Sequence, residues 1–166
     1  MKQKNIQRMC GSISIIIALV FSISTNSYAA LLGWDLVDSG KHLDWDGNTK
    51  YTTRVTSAIS KWEGYKPGII RPDSIYVIQD VFISDFYEVS NVVGVTSAAG
   101  TIKFNDYWFN IYDPDYELNT VIHEFGHALG LAHTSGTNDV MRQGPYNIIN
   151  LSSTDKSSYD AAYLTY

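Results

Sequence analysis

The stretch His123-Glu124-Phe125-Gly126-His127-Ala128-Leu129-Gly130-Leu131-Ala132-His133 decides the reading of this chain. It has the form H-E-x-x-H-x-x-G-x-x-H. The residues before it, Glu117 to Ile122, are compatible with a helix, so the motif begins inside one. His123 and His127 then stand one turn apart on the same face, and their imidazoles can converge on a single ion. Glu124 sits beside that ion without having to bind it. Gly130 can take a left-handed conformation and end the helix. The chain then turns back, and His133 completes a three-nitrogen face. Three protein ligands with one position left to water is the arrangement of a catalytic zinc, whereas a structural zinc is closed by four. A lone H-E-x-x-H arises by chance in many helices. The third His, placed behind a glycine, separates this stretch from chance.

Working back to the start, Lys2, Lys4 and Arg8 form a basic region ahead of an apolar run from Ile13 to Ile23, and Ser27-Tyr28-Ala29 supplies the small residues of a cleavage site. This pattern predicts a secretory signal peptide over residues 1–29. The run is shorter than the roughly 20 apolar residues a membrane-spanning helix needs. Cleavage after Ala29 leaves 166 − 29 = 137 residues, 30–166, enough for one packed domain. The one cysteine, Cys10, lies in the predicted signal, so the exported domain is expected to hold together without a disulfide. The signal carries three basic and no acidic residues, so the mature charge is (12 − 3) − 17 = −8. No Lys/Arg cluster remains, which argues against nucleic acid or an anionic membrane as a partner.

The segments between these points have ordinary element signatures. Leu31 to Gly47 reads as a short strand or extended lead-in ending in a turn at Asp46-Gly47-Asn48. His42, the one His outside the motif, is expected in an exposed loop. Asn48 or Thr49 can cap an amphipathic helix whose apolar stripe is Tyr51, Val55, Ala58, Ile59 and Trp62, ended by Gly64 and Pro67. Ser74 to Ser84 reads as a strand, Asp85 to Asn91 as a connection and Val92 to Thr96 as another strand. Ser97 to Gly100 is a tight turn leading to a hairpin partner, Thr101 to Asn105. Asp106 to Asp115 reads as an aromatic loop. Ser152 or Ser153 caps a last helix with Tyr159, Ala162 and Tyr163 on one face. The order predicts an α+β domain: a mixed twisted sheet, two long helices, and a C-terminal helix.

Met141 lies eight residues past His133. With it, the stretch from His123 to Met141 resembles the metzincin zinc peptidases, whose signature is the extended histidine motif followed by a Met-turn. Fainter likenesses over Val93-Gly94-Val95-Thr96, Phe104 to Trp108 and the helix from Ser153 narrow the resemblance to the catalytic domain of matrixins. It implies a five-stranded sheet above a cleft floored by the zinc helix. It also implies one catalytic zinc on His123, His127 and His133, with Glu124 as general base and Met141 as the structural residue of the Met-turn. An extended peptide would add to the edge strand at Gly94 and Val95, with Tyr146 as a candidate wall of the side-chain pocket. The chain departs from the family in several places. It has no upstream histidine set for a second zinc, and Gln143 stands where astacins and serralysins carry a tyrosine. Its Ser97–Gly100 turn is shorter than the family's calcium loops, which leaves calcium open, and a cysteine-switch propeptide is not expected.

The reading is therefore a secreted, extracellular, monomeric zinc endopeptidase acting on proteins or peptides, without stable membrane association once the signal is removed. Two alternatives stand beside it: a secreted zinc-dependent binding module without turnover, and a zinc hydrolase of non-peptide amides. Glu124 weighs against the first, because a module needing only the metal gains nothing from an acid there.

Overall fold

The computed structural model describes residues 30–166. The predicted signal peptide, residues 1–29, lies outside the described residues.

Strand β1 (Leu43–Asn48) leads into helix α1 (Thr52–Glu63), followed by β2 (Ile70–Pro72), β3 (Val81–Phe86), β4 (Gly94–Ser97) and β5 (Thr101–Asn105). Three helices complete the chain: α2 (Asp106–Phe109), α3 (Pro114–Ala128) and α4 (Ser153–Tyr163). The strands form one sheet in the order β2-β1-β3-β5-β4. All neighbouring pairs are parallel except β4, which runs antiparallel to β5 at one edge. The domain is thus α+β with a five-stranded mixed sheet, as the sequence implied.

The core lies between sheet and helices. Val55, Ala58 and Trp62 of α1 are fully buried, as are Ile83, Ile102 and Phe104 of the sheet and Val121, Ile122 and Phe125 of α3. Each of these side chains larger than alanine contributes about 1.5–3 kcal/mol by leaving water. The Trp62 indole N–H is satisfied inside this core by the Ile122 carbonyl at 3.0 Å, which fixes α1 against α3.

Several expectations are corrected. The strand expected from Ser74 begins at Val81, and Ile75, Tyr76 and Ile78 are about nine-tenths exposed in the loop before it. Apolar residues alternate on both faces of 74–80, so the pattern marks no single buried face. The turn expected at Asp46-Gly47-Asn48 is the end of β1. Gly47 is there because a Cβ would stand 2.8 Å from Ile83 Cβ on the neighbouring strand. Polar Asp85 belongs to β3 rather than to a connection; its carboxylate accepts from Thr49 Oγ1 at 2.6 Å and Lys50 N at 2.9 Å. That pairing also displaces Thr49 from the cap of α1, which falls on Tyr51. Pro114 opens α3 as its first residue instead of closing a loop. Asp106 to Phe109 form a single helical turn capped by Asn105.

Candidate active site

Helix α3 carries the motif and ends as Gly130 requires. Gly130 has φ 84°. Its N–H bonds the His127 carbonyl, and the Leu131 N–H reaches back to the Gly126 carbonyl, both at 2.9 Å. This is a Schellman closure, with the αL residue that glycine adopts without a Cβ penalty. It aims His133 back at the helix. His133 Nε2 lies 3.1 Å from His123 Nε2 and 3.2 Å from His127 Nε2.

The tautomers follow from the partners. His123 Nδ1 is 2.8 Å from the Val140 carbonyl, and His127 Nδ1 is 2.8 Å from the Leu131 carbonyl. A carbonyl only accepts, so each Nδ1 carries the proton and each Nε2 presents a lone pair. The two lone pairs of His123 and His127, turned toward the same His133 nitrogen, suit a cation. A tetrahedral ion with N distances of about 2.0–2.1 Å sets its nitrogens roughly 3.3 Å apart, close to the observed separations. The donor set fits zinc. Burial grades from His123 (buried) through His127 to His133 (exposed), so the group opens toward solvent on one side.

Electrostatics favour the same state. Burial pushes the His123 imidazole down to about 3; the neighbouring His127 charge adds to this, and the Val140 carbonyl opposes it. His127 is also lowered, chiefly by burial. Both rings are therefore neutral at physiological pH, as ligation requires.

The support beneath His123 comes from the other end of the chain. Ser152 caps α4 in a capping box with Asp155. The fully buried Asp155 carboxylate then accepts from Val140 N at 2.9 Å and Met141 N at 3.1 Å. This carboxylate holds the turn whose Val140 carbonyl orients His123. Met141 is fully buried directly against α3.

Glu124, 5% exposed, lies under β4. The Thr96 hydroxyl is 2.7 Å from its Oε2 and 2.9 Å from its backbone carbonyl. Burial raises the Glu124 carboxyl to about 7, and the hydrogen bonds from Thr96 hold it from rising further. A carboxyl near 7 can both take and return a proton at neutral pH. His123, Glu124, His127 and His133 line a cleft of about 390 Å³ with Val92 to Thr96 on one side and Gln143, Gly144 and Pro145 on the other.

Gly94 and Val95 therefore stand on the cleft, at the sheet edge. Tyr146 does not line it: its ring stacks under the Arg142 guanidinium, 4.1 Å from centroid to Cζ, and the wall is formed by the three residues before it. His42 stays with Asp38, outside the histidine group. Asp38, Asp44 and Asp80 also gather their carboxylates, and Arg71 pairs with Asp44 through hydrogen bonds of 2.9 and 2.7 Å. Three residues that shape the site were not singled out from the sequence. Asp155 was visible as the last residue of an S-x-x-D capping box. Asn119 lies one turn before His123 on the same helix face. Thr96 lies two residues after Gly94 on the same strand face.

The family model described as Matrixin, a peptidase family, matches residues 37–164. The chain belongs to the matrixin family. The matched span runs from before β1 through the histidine group and the Met141 turn to the end of α4, so this matrixin domain includes every site residue described above. A search of curated proteins gives no match. Among solved structures, a chain of the "GM1 bound form of the ECX AB5 holotoxin" is similar to this matrixin with a TM-score of 0.54 and 16% identity, over 81% of this chain and 86% of that one. At that identity the likeness concerns the fold alone.

Proposed function

We propose that this matrixin is a secreted zinc endopeptidase whose mature domain is residues 30–166 and whose catalytic base is Glu124. The observation that supports it best is the convergence of the His123 and His127 Nε2 atoms on His133 Nε2, at 3.1 and 3.2 Å, beside a buried carboxyl at the open edge of a sheet.

His123, His127 and His133 would hold one zinc. When bound, the metal supplies Lewis acidity, which acidifies a water toward neutral pH and polarises a carbonyl. The protein's own residues do the rest. Among the described residues the outer edge of β4 has no strand beyond it, so a peptide can lie along Gly94–Ser97 as a further strand, its backbone held by main-chain hydrogen bonds. This places a scissile bond over the histidine face. Glu124 accepts the proton of the attacking water and delivers it to the leaving amine, returning to carboxylate at the end of the cycle. Gln143, Gly144 and Pro145 form the far wall and confine the substrate side chain.

The mature charge and the absence of a basic cluster support a protein or peptide substrate in the extracellular medium rather than nucleic acid. Among the described residues no helix is long and apolar enough to cross a membrane. We read the domain as a monomer.

The test is zinc content and peptide cleavage for wild type and Glu124→Ala. The reading stands if wild type binds about one zinc and cleaves, a chelator stops cleavage, and the variant keeps its zinc while losing activity by orders of magnitude. If both proteins hold zinc and neither cleaves any peptide, the peptidase reading fails, and a screen of non-peptide amides separates a zinc hydrolase from a zinc-dependent binding module.

A further inference from the structure

Glu124 is held from above by two residues of one strand. Gly94 and Thr96 are two apart in β4, so both face the same side of the sheet. That side is occupied by the Glu124 side chain. A Cβ on Gly94 would stand 2.9 Å from both Glu124 Cγ and Oε1, so that strand position has no room for a side chain. Thr96 Oγ1 lies 2.7 Å from Oε2 and 2.9 Å from the Glu124 backbone carbonyl, close to both ends of the same residue. Oε1 faces the bare Cα of Gly94. The two carboxylate oxygens are thereby differentiated: one is bonded to the strand, and the other stands in the space that the glycine leaves open on the cleft.

We propose that Thr96 is a positioning residue for Glu124, and that the inward pair Gly94 and Thr96 makes β4 a cradle that orients the base toward the substrate lying on the outer edge of that same strand. One strand then aligns both partners in the proton transfer. The substrate registers on the backbone of β4, and the carboxylate registers on its inward side chains. Any displacement of the strand moves both together, which keeps the base within reach of the water attacking the bound peptide. The inference rests on the peptidase reading and extends it.

The experiment compares wild type, Thr96→Val, Thr96→Ser and Glu124→Gln for zinc content, kcat and KM on one peptide. Valine keeps the shape and removes the hydroxyl; serine keeps the hydroxyl and removes the methyl. Loss of an orienting partner lowers activity by about 10–100-fold. The expected result is that fall in kcat for Thr96→Val, with KM within about 2–3-fold of wild type and zinc unchanged, and recovery of most of kcat in Thr96→Ser. The proposal is overturned if Thr96→Val keeps wild-type kcat, if valine and serine lose activity equally, or if the loss follows loss of zinc. Those outcomes leave Glu124→Gln inactive beside an active wild type, so they are distinct from failure of the peptidase reading, in which wild type itself cleaves nothing.

Discussion

Gly126 and Met141 occupy complementary space. A Cβ on Gly126 would fall inside the envelope of Met141 Sδ, 3.0 Å from its Cε and 3.1 Å from Trp62 Cζ2. The methionine side chain rests against the bare backbone of the helix between His123 and His127, so the glycine of H-E-F-G-H is set by packing. In an open helix, Gly→Ala gains about 1 kcal/mol. Here overpacking of about 1–3 kcal/mol opposes that gain and wins. Gly126→Ala is expected to lower the midpoint of denaturant unfolding and to weaken zinc binding. Met141→Ala should destabilise by about 2–5 kcal/mol through the cavity it leaves. In the Met141→Ala background the alanine at 126 should cost markedly less than in wild type, because the methionine that fills its space is gone and only Trp62 still crowds it. A double-mutant cycle with additive effects would refute the contact.

Glu124→Gln separates catalysis from stability. The Glu124 carboxyl stands at about 7 in the fold and 4.5 in its ordinary state, raised chiefly by burial. A raised folded value contributes stability that is fully present below 4.5 and is lost as pH rises through about 7. At pH 8 the ionised, buried carboxylate therefore lowers the stability of the metal-free protein by about 1–3 kcal/mol. Glu124→Gln removes that term. The metal-free variant should be the more stable protein at pH 8 and should lose its advantage by pH 4, while peptide cleavage falls by orders of magnitude. Unfolding curves at the two pH values read the first effect. A variant less stable than wild type at pH 8 would show that the carboxylate is not strained by its burial.

What the sequence made legible depended on whether the physical constraint was local. The histidine spacing, the Gly130 turn, the α1 stripe at Val55, Ala58 and Trp62, and the hairpin around Gly100 are all read from neighbours within a few residues, and each is where it was expected, with β4 running Gly94–Ser97 rather than Val92–Thr96. Gly47 looked like a turn residue because its need for a bare Cα comes from Ile83, which is distant in the chain. Asp85 looked like a loop residue because Thr49 and the Lys50 N–H, its partners, lie more than thirty residues upstream. At the site the same rule holds. The histidines were readable from their spacing. Asp155 acts on the Met141 turn across tertiary distance, and Thr96 acts on Glu124 in the same way, so their roles appear only in three dimensions.

Asn119 ties the wall of the cleft to the helix. It is 1% exposed; its Nδ2 donates to the Ile148 carbonyl at 2.7 Å, and its Oδ1 accepts from Tyr146 N at 3.3 Å. Both ends of one side chain thus fasten the segment that follows Gln143, Gly144 and Pro145. Asn119→Ala leaves two backbone groups without partners and should lower stability by about 1–3 kcal/mol. The freed wall should also discriminate less between peptides with short and long side chains next to the cut bond. Relative kcat/KM for a matched pair of such peptides measures this. An unchanged ratio would place selectivity elsewhere in the cleft.

Acid should act on the histidine group in two ways that share one cause. Burial depresses the His123 imidazole from 6.5 to about 3, and His127 moves in the same direction. For a depressed folded value the contribution to stability is present above 6.5 and is lost as pH falls toward about 3. The metal-free protein should therefore weaken progressively across that window, by up to about 5 kcal/mol from His123 alone. Zinc competes with the same protons, since only the neutral ring binds it. Because burial keeps the His123 and His127 rings neutral, the metal should stay bound by those two at pH 5.5, where a solvent-exposed imidazole is already mostly protonated. It should be released by about pH 3–4, with activity lost in step. Zinc measured after gel filtration at half-unit pH intervals gives the midpoint. A midpoint at or above 6.5 would mean that burial does not protect the ligands, and zinc retained with full activity well below pH 4 would rule out ligation by three histidines.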